Sequence, residues 1–426
     1  MKKALIWIVS IIGIPALLLT LVAILLYIPP VQQWLVQQTT RYASKKLGLE
    51  VSIDKVRLAF PLDLSMENVL IIRPNDSLPQ MKDTIGFAQR MVADVQLLPL
   101  FKKKVEIDEL KFEGLHLNSS DFIAAAHVRG TIGQLALVSH GIDISGSVVN
   151  VDKLALEDAK LVVTLPDTVP EDTSQSKSIW KINVDDLQVR HTDVTVHFPG
   201  DTLQVRTYLG KAKVSKGFFD LGEGNYQVGR FDWTDGELNY DNKWKGRTKG
   251  IDYNHLALSN IEVGIDALQY QASKLKLNVR QMAFKEKSGF DLQKLSGALA
   301  LDSTKLYMRQ VKMRTSSSNL LADADMDLNS FSNQNPGKLN LTLHASLGKN
   351  DLVRFMGSIP VDVRKQWPRS PLVIDGKVQG NLQRMNFHDL RVNLPTALKA
   401  KATGYVANLN DIDHLKWQSF QGEFGV

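Results

Sequence analysis

Ala322-Asp323-Ala324-Asp325-Met326-Asp327-Leu328 is the stretch of this chain that decides its fold. Apolar and acidic residues alternate strictly through it. Successive side chains of an extended strand point to opposite faces of a sheet, so this strand would carry its carboxylates on one face and its apolar side chains on the other. Alternation of this kind is typical of a half-buried β-strand.

The same alternation recurs along most of the chain after residue 50, in segments of four to seven residues bounded by Gly, Pro, Asp or Asn. These segments are 51–54, 62–66, 105–108, 161–165, 194–198, 275–279, 339–343 and 373–378. A looser unit, L-x-L-x-x-A-x-L-x-V, begins at residues 110, 154, 187 and 231. We interpret it as a degenerate repeat of strand hairpins, which predicts a mainly β protein with antiparallel strands.

An antiparallel sheet with one apolar face needs something to cover that face. Helix signals after Gly48 are few: residues 350–367 predict one short helical segment, and residues 168–178 predict a polar loop. Two arrangements are then open, namely closed barrels or sandwiches with dry cores, or one elongated sheet that curls so that its apolar face lines a groove. The repeated strand pattern without domain punctuation favours the elongated, curled antiparallel sheet with an apolar concave face over residues 49–426.

The N-terminal residues predict a membrane anchor. Lys2 and Lys3 precede an uncharged apolar run over residues 4–28, which two prolines close. Its 25 residues would form a helix of roughly 37 Å, enough to cross a hydrocarbon core of about 30 Å. No small-residue cleavage site follows, so we expect a retained anchor over residues 1–30.

Residues 31–48 predict an amphipathic helix, with Trp34 and Tyr42 at the membrane interface. This helix would either cap the start of the sheet or form a simple stalk. Both interpretations place the rest of the chain beside a membrane.

The candidate site is the apolar lining of the predicted groove. A continuous apolar lining exposed to water would be unusual unless something filled it, and acyl chains are a natural filling beside a membrane. The predicted lining residues are Leu161, Val163, Val194, Val196, Leu275, Leu277, Val279, Leu299, Leu301, Leu339, Leu341 and Leu343.

Motifs for catalysis, metals and nucleic acids are missing from the sequence. It contains no G-x-S-x-G, H-E-x-x-H, P-loop or Rossmann pattern, and its nine histidines are dispersed. There is no cysteine, so disulfides and thiolate metal sites are excluded. The net charge of +6 is scattered, and the basic run at residues 102–104 lacks interleaved aromatics. We therefore expect no enzyme, no cofactor, no metal and no nucleic-acid partner.

The order of the N-terminal segments resembles that of the AsmA-like family, in particular its TamB group. The residues that carry the resemblance are Tyr27-Ile28-Pro29-Pro30-Val31-Gln32-Gln33-Trp34-Leu35, residues 47–56 (LGLEVSIDKV), residues 62–71 (LDLSMENVLI) and residues 97–110 (LLPLFKKKVEIDEL). The match is strongest over about the first 120 residues and diffuse beyond them.

The resemblance implies an inner-membrane protein whose bulk forms a β-taco or β-helical groove in the periplasm. Such a protein would carry phospholipid along its apolar groove between the inner and outer membranes. The resemblance also implies a second function, in which the translocation and assembly module helps to insert outer-membrane β-barrel proteins together with a barrel partner. No catalytic residues come with the family. Chains of the TamB group are much longer, so we expect this chain to be an N-terminal part or a shorter relative. An inert scaffold of β-sandwiches remains the third interpretation.

Overall fold

A computed structural model describes most of the chain after residue 50. The described residues are 50–59, 63–74, 82–95, 107–119, 126–143, 147–165, 180–357 and 365–424, with residues 30, 37, 40, 41 and 44. The predicted anchor over residues 4–28, the interfacial residues Trp34 and Tyr42, and the loop 168–178 lie outside the described residues.

The chain divides into two compact units, Met1–Glu171 and Asp172–Val426. The division falls within the polar stretch 168–178. The strands of unit 1 are β1 Glu50–Ala59, β2 Asp63–Pro74, β3 Lys82–Val95, β4 Ile107–Asn118, β5 His127–Asp143 and β6 Val148–Thr164.

In the described residues, unit 2 contains thirteen strands and the α-helix α1 (Lys349–Met356). Its first strands are β7 Lys181–His197, β8 Leu203–Asp220, β9 Asn225–Asn242, β10 His255–Gln271, β11 Lys274–Glu286, β12 Asp291–Leu301 and β13 Lys305–Thr315. They are followed by β14 Asn319–Asp327, β15 Leu339–Leu347, α1 Lys349–Met356, β16 Leu372–Asn381, β17 Arg384–Leu394, β18 Leu398–Ala407 and β19 Lys416–Phe424.

Each unit is an antiparallel meander in which every strand pairs with the strand before it and the strand after it. In unit 1 the pairing runs from β1 to β6. In unit 2 it runs from β7 to β19. The predictions of a mainly β protein with antiparallel strands are confirmed. Helix α1 overlaps the first part of the helical segment predicted over 350–367, of which residues 358–364 lie outside the described residues.

The predicted curl of the sheet is not found. Among the described residues, the first and last strands of each unit do not pair with each other, so each sheet is open and uncurled. The physical reason is that pairing between strands that are neighbours in the chain satisfies the backbone hydrogen bonds of the meander, and this pairing requires no curl. In the part of the chain that the structure describes, no helix has the length and apolar character needed to cross a membrane.

The sequence unit L-x-L-x-x-A-x-L-x-V has a conformational cause. Its four copies lie inside single strands, β4, β6, β7 and β9. At the x-x step each strand contains one residue with positive φ: Gly114 (60°), Asp158 (55°), His191 (46°) and Asp235 (54°). This left-handed residue shifts the alternation by one, so that the apolar residues on both sides of the step stay on one face.

In unit 1 these irregular positions lie in one row across the sheet. The pairings on either side place Asp54, Asn68, Gln89, Gly114, Gly133 and Asp158 opposite one another on successive strands. Asn68 and Asp158 have positive φ like Gly114, so every second strand supplies a left-handed residue. All six strands therefore shift together, and the apolar faces of neighbouring strands stay aligned.

The left-handed positions of unit 2 lead to a testable prediction at Ala267, where φ is 52°. The left-handed region of φ and ψ costs a residue with a Cβ about 1–2 kcal/mol, and glycine is free of this cost. Ala267→Gly should therefore raise the free energy of unfolding by roughly 1 kcal/mol. Ala300→Gly, in regular strand β12, should instead lower it by about 0.5–1 kcal/mol. Urea denaturation of both variants measures the difference, and an equal change for both would contradict the prediction.

Candidate functional site

The apolar face of unit 1 consists of rows of apolar side chains that cross all six strands. The register places Ile53, Val69, Ala88, Leu115, Ile132 and Ala159 in one row. A neighbouring row contains Val56, Met66, Met91, Phe112, Leu135 and Leu156. These residues contact one another as a hydrophobic cluster. The cluster is thus built from one face of a single sheet.

The apolar face of unit 2 is longer and is built in the same way. One row crosses all thirteen strands and is apolar except at one glycine: Ile182, Phe219, Tyr226, Tyr270, Leu275, Leu301, Leu306, Met326, Leu339, Gly380, Met385, Val406 and Trp417. With about 4.8 Å between strands, its twelve steps span roughly 58 Å. Trp417 and Tyr270 are exposed within it, at 65% and 38%.

The predicted lining residues all lie on these apolar faces. Leu161 and Val163 lie on β6 of unit 1, paired with Gly130 and Val128. The other ten residues belong to unit 2: Val194 and Val196 lie on β7, and the rest lie on β11, β12 and β15. There Leu275 pairs with Leu301, Leu277 with Leu299 and Val279 with Gly297, and the row of Leu277 continues to Leu341. Val279 is buried and Leu301 exposed, while the remaining members are half-buried.

The described strands of each unit belong to one open sheet, and most side chains of its apolar face are half-buried. A sandwich core lies between two sheets that pack face to face. Within either unit, the residues that the structure describes do not divide into two such sheets. A contiguous apolar surface of this size normally marks a site that binds an apolar partner.

The opposite face of unit 2 is hydrophilic, and the carboxylates of the 322–328 stretch lie on it. Asp325 forms an ion pair with Arg309 at 2.5 Å, and Asp327 forms one with Lys305 at 3.7 Å. The Asp323 carboxylate accepts a hydrogen bond from the backbone N–H of Gln310. These carboxylates are therefore used in pairing across strands. In the described residues no group of three His, Asp or Glu side chains is placed to hold a metal ion.

Cavities of unit 2 also lie over the hydrophilic face. One, of about 530 Å³, is bordered by polar side chains such as Tyr307, Asn340, Gln379 and Arg384. The apolar side chains of the same strands project to the other side of the sheet. The two faces thus offer different chemistry to a partner.

Helix α1 lies along one border of the apolar face of unit 2. The ring of Phe355 meets Phe290 edge-on, with centroids 5.1 Å apart, and Phe290 contacts Phe284 at 6.1 Å. Phe290 and Leu292 are buried together with Ile251. The helix therefore closes the apolar surface at the strand ends, where the hairpin turns of β11–β12 and β13–β14 lie.

Asp351 fixes α1 to these turns. Its buried carboxylate accepts hydrogen bonds from the hydroxyls of Thr315 (2.5 Å) and Ser318 (2.6 Å), and Arg354 lies 3.4 Å away. Burial raises the pKa of Asp351, but the hydroxyl groups of Ser318 and Thr315 and the charge of Arg354 outweigh it. The pKa of Asp351 is consequently lower than its ordinary value.

The sequence motifs considered above do not include a group of basic and aromatic residues in the loop between β9 and β10. Residues 243–249 read Lys-Trp-Lys-Gly-Arg-Thr-Lys, so four basic residues occur at every second position. Trp244 is 74% exposed and Tyr253 is 58% exposed. The signal was the alternation of basic residues around a tryptophan, which a search for contiguous basic runs does not detect.

No protein-family model matches this chain, and no curated protein matches it.

Proposed function

We propose that this protein binds phospholipid acyl chains on the apolar faces of its sheets and carries lipid along them. The observation that carries the proposal is the thirteen-strand apolar row of unit 2, which lies on an open sheet and whose side chains are mostly half-buried or exposed. The sequence adds the apolar run over residues 4–28, which predicts an anchor in the membrane that would supply the lipid.

The dimensions and energies suit acyl chains. The acyl chains of one leaflet occupy about 15 Å, half of a hydrocarbon core of about 30 Å, so a row of roughly 58 Å is long enough for several chains. Each methylene group removed from water contributes about 0.8 kcal/mol. The two wide aromatic side chains Tyr226 and Tyr270 stack in the row, with centroids 5.9 Å apart.

The finer parts of the proposal come from the resemblance to AsmA-like proteins. The anchor would lie in the inner membrane, the sheets in the periplasm, and the lipid would travel towards the outer membrane. The proposal requires no cofactor and no catalytic residue.

Site-specific photo-crosslinking tests lipid binding. With the full-length chain in phospholipid vesicles, photoreactive residues at Leu277 and Leu341 should capture phospholipid, because both lie on the apolar face. The matched controls are the adjacent positions Asn278 and Thr342, which lie on the hydrophilic face and should capture little. Mass spectrometry of the adducts gives the measurement.

Two outcomes would count against the proposal. Equal capture at Leu277 and Asn278 would show that the label reports proximity to the vesicle and not binding to one face. Adducts with unfolded barrel proteins in place of lipid would instead favour the assembly function, in which a sheet edge offers backbone hydrogen bonds to a client strand.

A further inference from the structure

The loop between β9 and β10 has the composition of a membrane-binding surface. Residues 242–251 contain four basic side chains and no carboxylate, with Asp241 and Asp252 on either side. All four, Lys243, Lys245, Arg247 and Lys249, are exposed. The loop also carries Trp244, three quarters of which is exposed to solvent.

An exposed tryptophan beside clustered cations is unusual for a loop that faces only water. Tryptophan and tyrosine side chains favour the headgroup region of a bilayer, where the ring is desolvated and the N–H or O–H stays hydrated. Each Lys or Arg near an anionic bilayer surface contributes about 1 kcal/mol to binding. Trp244 and Tyr253 lie at opposite ends of the basic stretch, so both kinds of contact are available in one loop.

The loop is held in place by hydrogen bonds from a buried carboxylate. Asp252, 2% exposed, accepts from the backbone N–H groups of Thr248 (3.0 Å) and Asn254 (3.1 Å) and contacts Nδ1 of His255 at 3.0 Å. The Thr248 N–H is the largest cause that lowers the pKa of Asp252, against the effect of its burial. A loop held in this way keeps its cations on the surface at little cost in conformational entropy.

Helix α1 supports the loop from the other side. The N–H of Ile251 donates to the backbone carbonyl of Arg354 at 3.0 Å. Gly250 has a φ of 79°, and a Cβ added there would lie 2.3 Å from the same carbonyl oxygen. The close approach of the loop to α1 therefore depends on glycine at this position.

A cavity of about 370 Å³ on the hydrophilic face lies directly beside the loop. Basic side chains border it: Arg247 from the loop, Lys287 from the β11–β12 turn and Arg206 from β8. Its one carboxylate is Asp241, and Arg206 is already paired with Asp193. Arg247 has no ion-pair or hydrogen-bond partner among the residues that the structure describes, so its guanidinium is free to bind a phosphate group.

We propose that this loop docks unit 2 onto an anionic phospholipid surface, with Trp244 in the headgroup layer and Arg247 beside a lipid phosphate. The occupant is the headgroup layer of a membrane because exposed aromatic side chains accompany the charge, which a free anion does not need. This docking does not rest on lipid binding by the apolar face, since the cavity lies on the opposite face of the sheet.

A fluorescent label on the loop tests the docking. The chain has no cysteine, so Gly246→Cys gives one labelling site, and a side chain at Gly246 meets open space. The full-length chain is reconstituted in vesicles of phosphatidylcholine alone or with phosphatidylglycerol, and the label is an environment-sensitive dye. We expect a blue shift with phosphatidylglycerol that salt reverses, because ions screen charges beyond about 10 Å at 0.1 M.

Matched variants separate docking from general attraction. Lys245→Ala with Arg247→Ala should lower the affinity of the loop for the anionic surface at least about tenfold. A higher phosphatidylglycerol content is then needed for half of the shift. Lys276→Ala with Lys312→Ala removes the same charge from exposed positions on β11 and β13 and should have little effect. Circular dichroism confirms that both variants are folded.

Three results would overturn the proposal. The first is the same emission in both kinds of vesicle, and the second is an equal effect of the two double variants. The third is an equal shift with inorganic phosphate and no vesicles, which would make the cavity a site for a free anion. Crosslinking at Leu277 reports on the apolar face, so the failure of one proposal is distinguishable from the failure of the other.

Discussion

Gly130→Ala should destabilise unit 1 by about 3 kcal/mol. Gly130 lies on β5 with a φ of +153°, in a region that is almost exclusive to glycine. A Cβ at this position would lie 2.0 Å from the backbone carbonyl oxygen of Lys160 on β6. Backbone atoms cannot move aside as a side chain can, so the β5–β6 pairing has to separate locally. Hydrogen–deuterium exchange of the full-length chain measures the effect, as faster exchange over residues 127–164.

The matched control lies in the same row of the same sheet. Gly86 and Gly130 both pair with Leu117, one from β3 and the other from β5. A Cβ at Gly86 would meet nothing closer than the His116 carbonyl oxygen at 3.7 Å, and its φ is not positive. Gly86→Ala should therefore be neutral or stabilise by about 0.4–1 kcal/mol through the unfolded state. Similar exchange in both variants would show that the close approach at Gly130 is not what fixes the pairing.

Asp351→Ala should free α1 from the border of the apolar face. The substitution leaves the buried hydroxyls of Thr315 and Ser318 without their acceptor and Arg354 without its ion pair. Losing a charged acceptor from such a network costs about 3 kcal/mol. Amide exchange over residues 348–356 should then accelerate by about a hundredfold, since each 1.4 kcal/mol is a factor of about ten. Asn350→Ala, which removes an exposed neighbour on the same helix, is the control.

The lowered pKa of Asp351 gives the same contact a pH dependence. Because the pKa is lower in the folded state than in the unfolded chain, the stabilisation is complete above the unfolded value. It is lost as the pH falls through the folded value. The protection of α1, measured relative to the intrinsic exchange rate at each pH, should therefore fall in acid in the wild type, while Asp351→Ala should show no such fall. A wild-type helix equally protected on both sides of the transition would contradict the assignment.

The sequence predicted which side chains share a face, but not how long the strands are. Alternation at residues 275–279 and 339–343 identified parts of β11 and β15, because one face of these strands is apolar and the other polar. In β7 strict alternation covers only residues 194–198 and the looser unit begins at residue 187, although the strand is Lys181–His197. The left-handed residue His191 shifts the period in the middle of that strand, so a search for strict alternation stops there.

The shape of the sheet could not be predicted from the same pattern. Alternation of apolar and polar residues indicates that one face of the sheet is apolar. The curvature of the sheet depends instead on strand twist and on irregular positions, which have no fixed residue type. Asp, His, Ala, Lys and Gly all occupy left-handed positions in this chain. The basic loop was missed for a comparable reason, because its cations are separated by Trp244, Gly246 and Thr248. The basic loop also lies beside Lys287, which belongs to the β11–β12 turn, 38 residues after Lys249. Local sequence patterns do not indicate that these two segments meet.

The meander has a consequence for the order in which the chain folds. Within each unit every strand pairs with its immediate predecessor and successor, so a new strand needs only the segment just before it. Most of the connections are short, the one between β15 and β16 being the longest in unit 2, so the entropic barrier for most strands stays close to that of a single hairpin. Each unit can therefore fold progressively from its first strand, at the pace at which the chain is delivered.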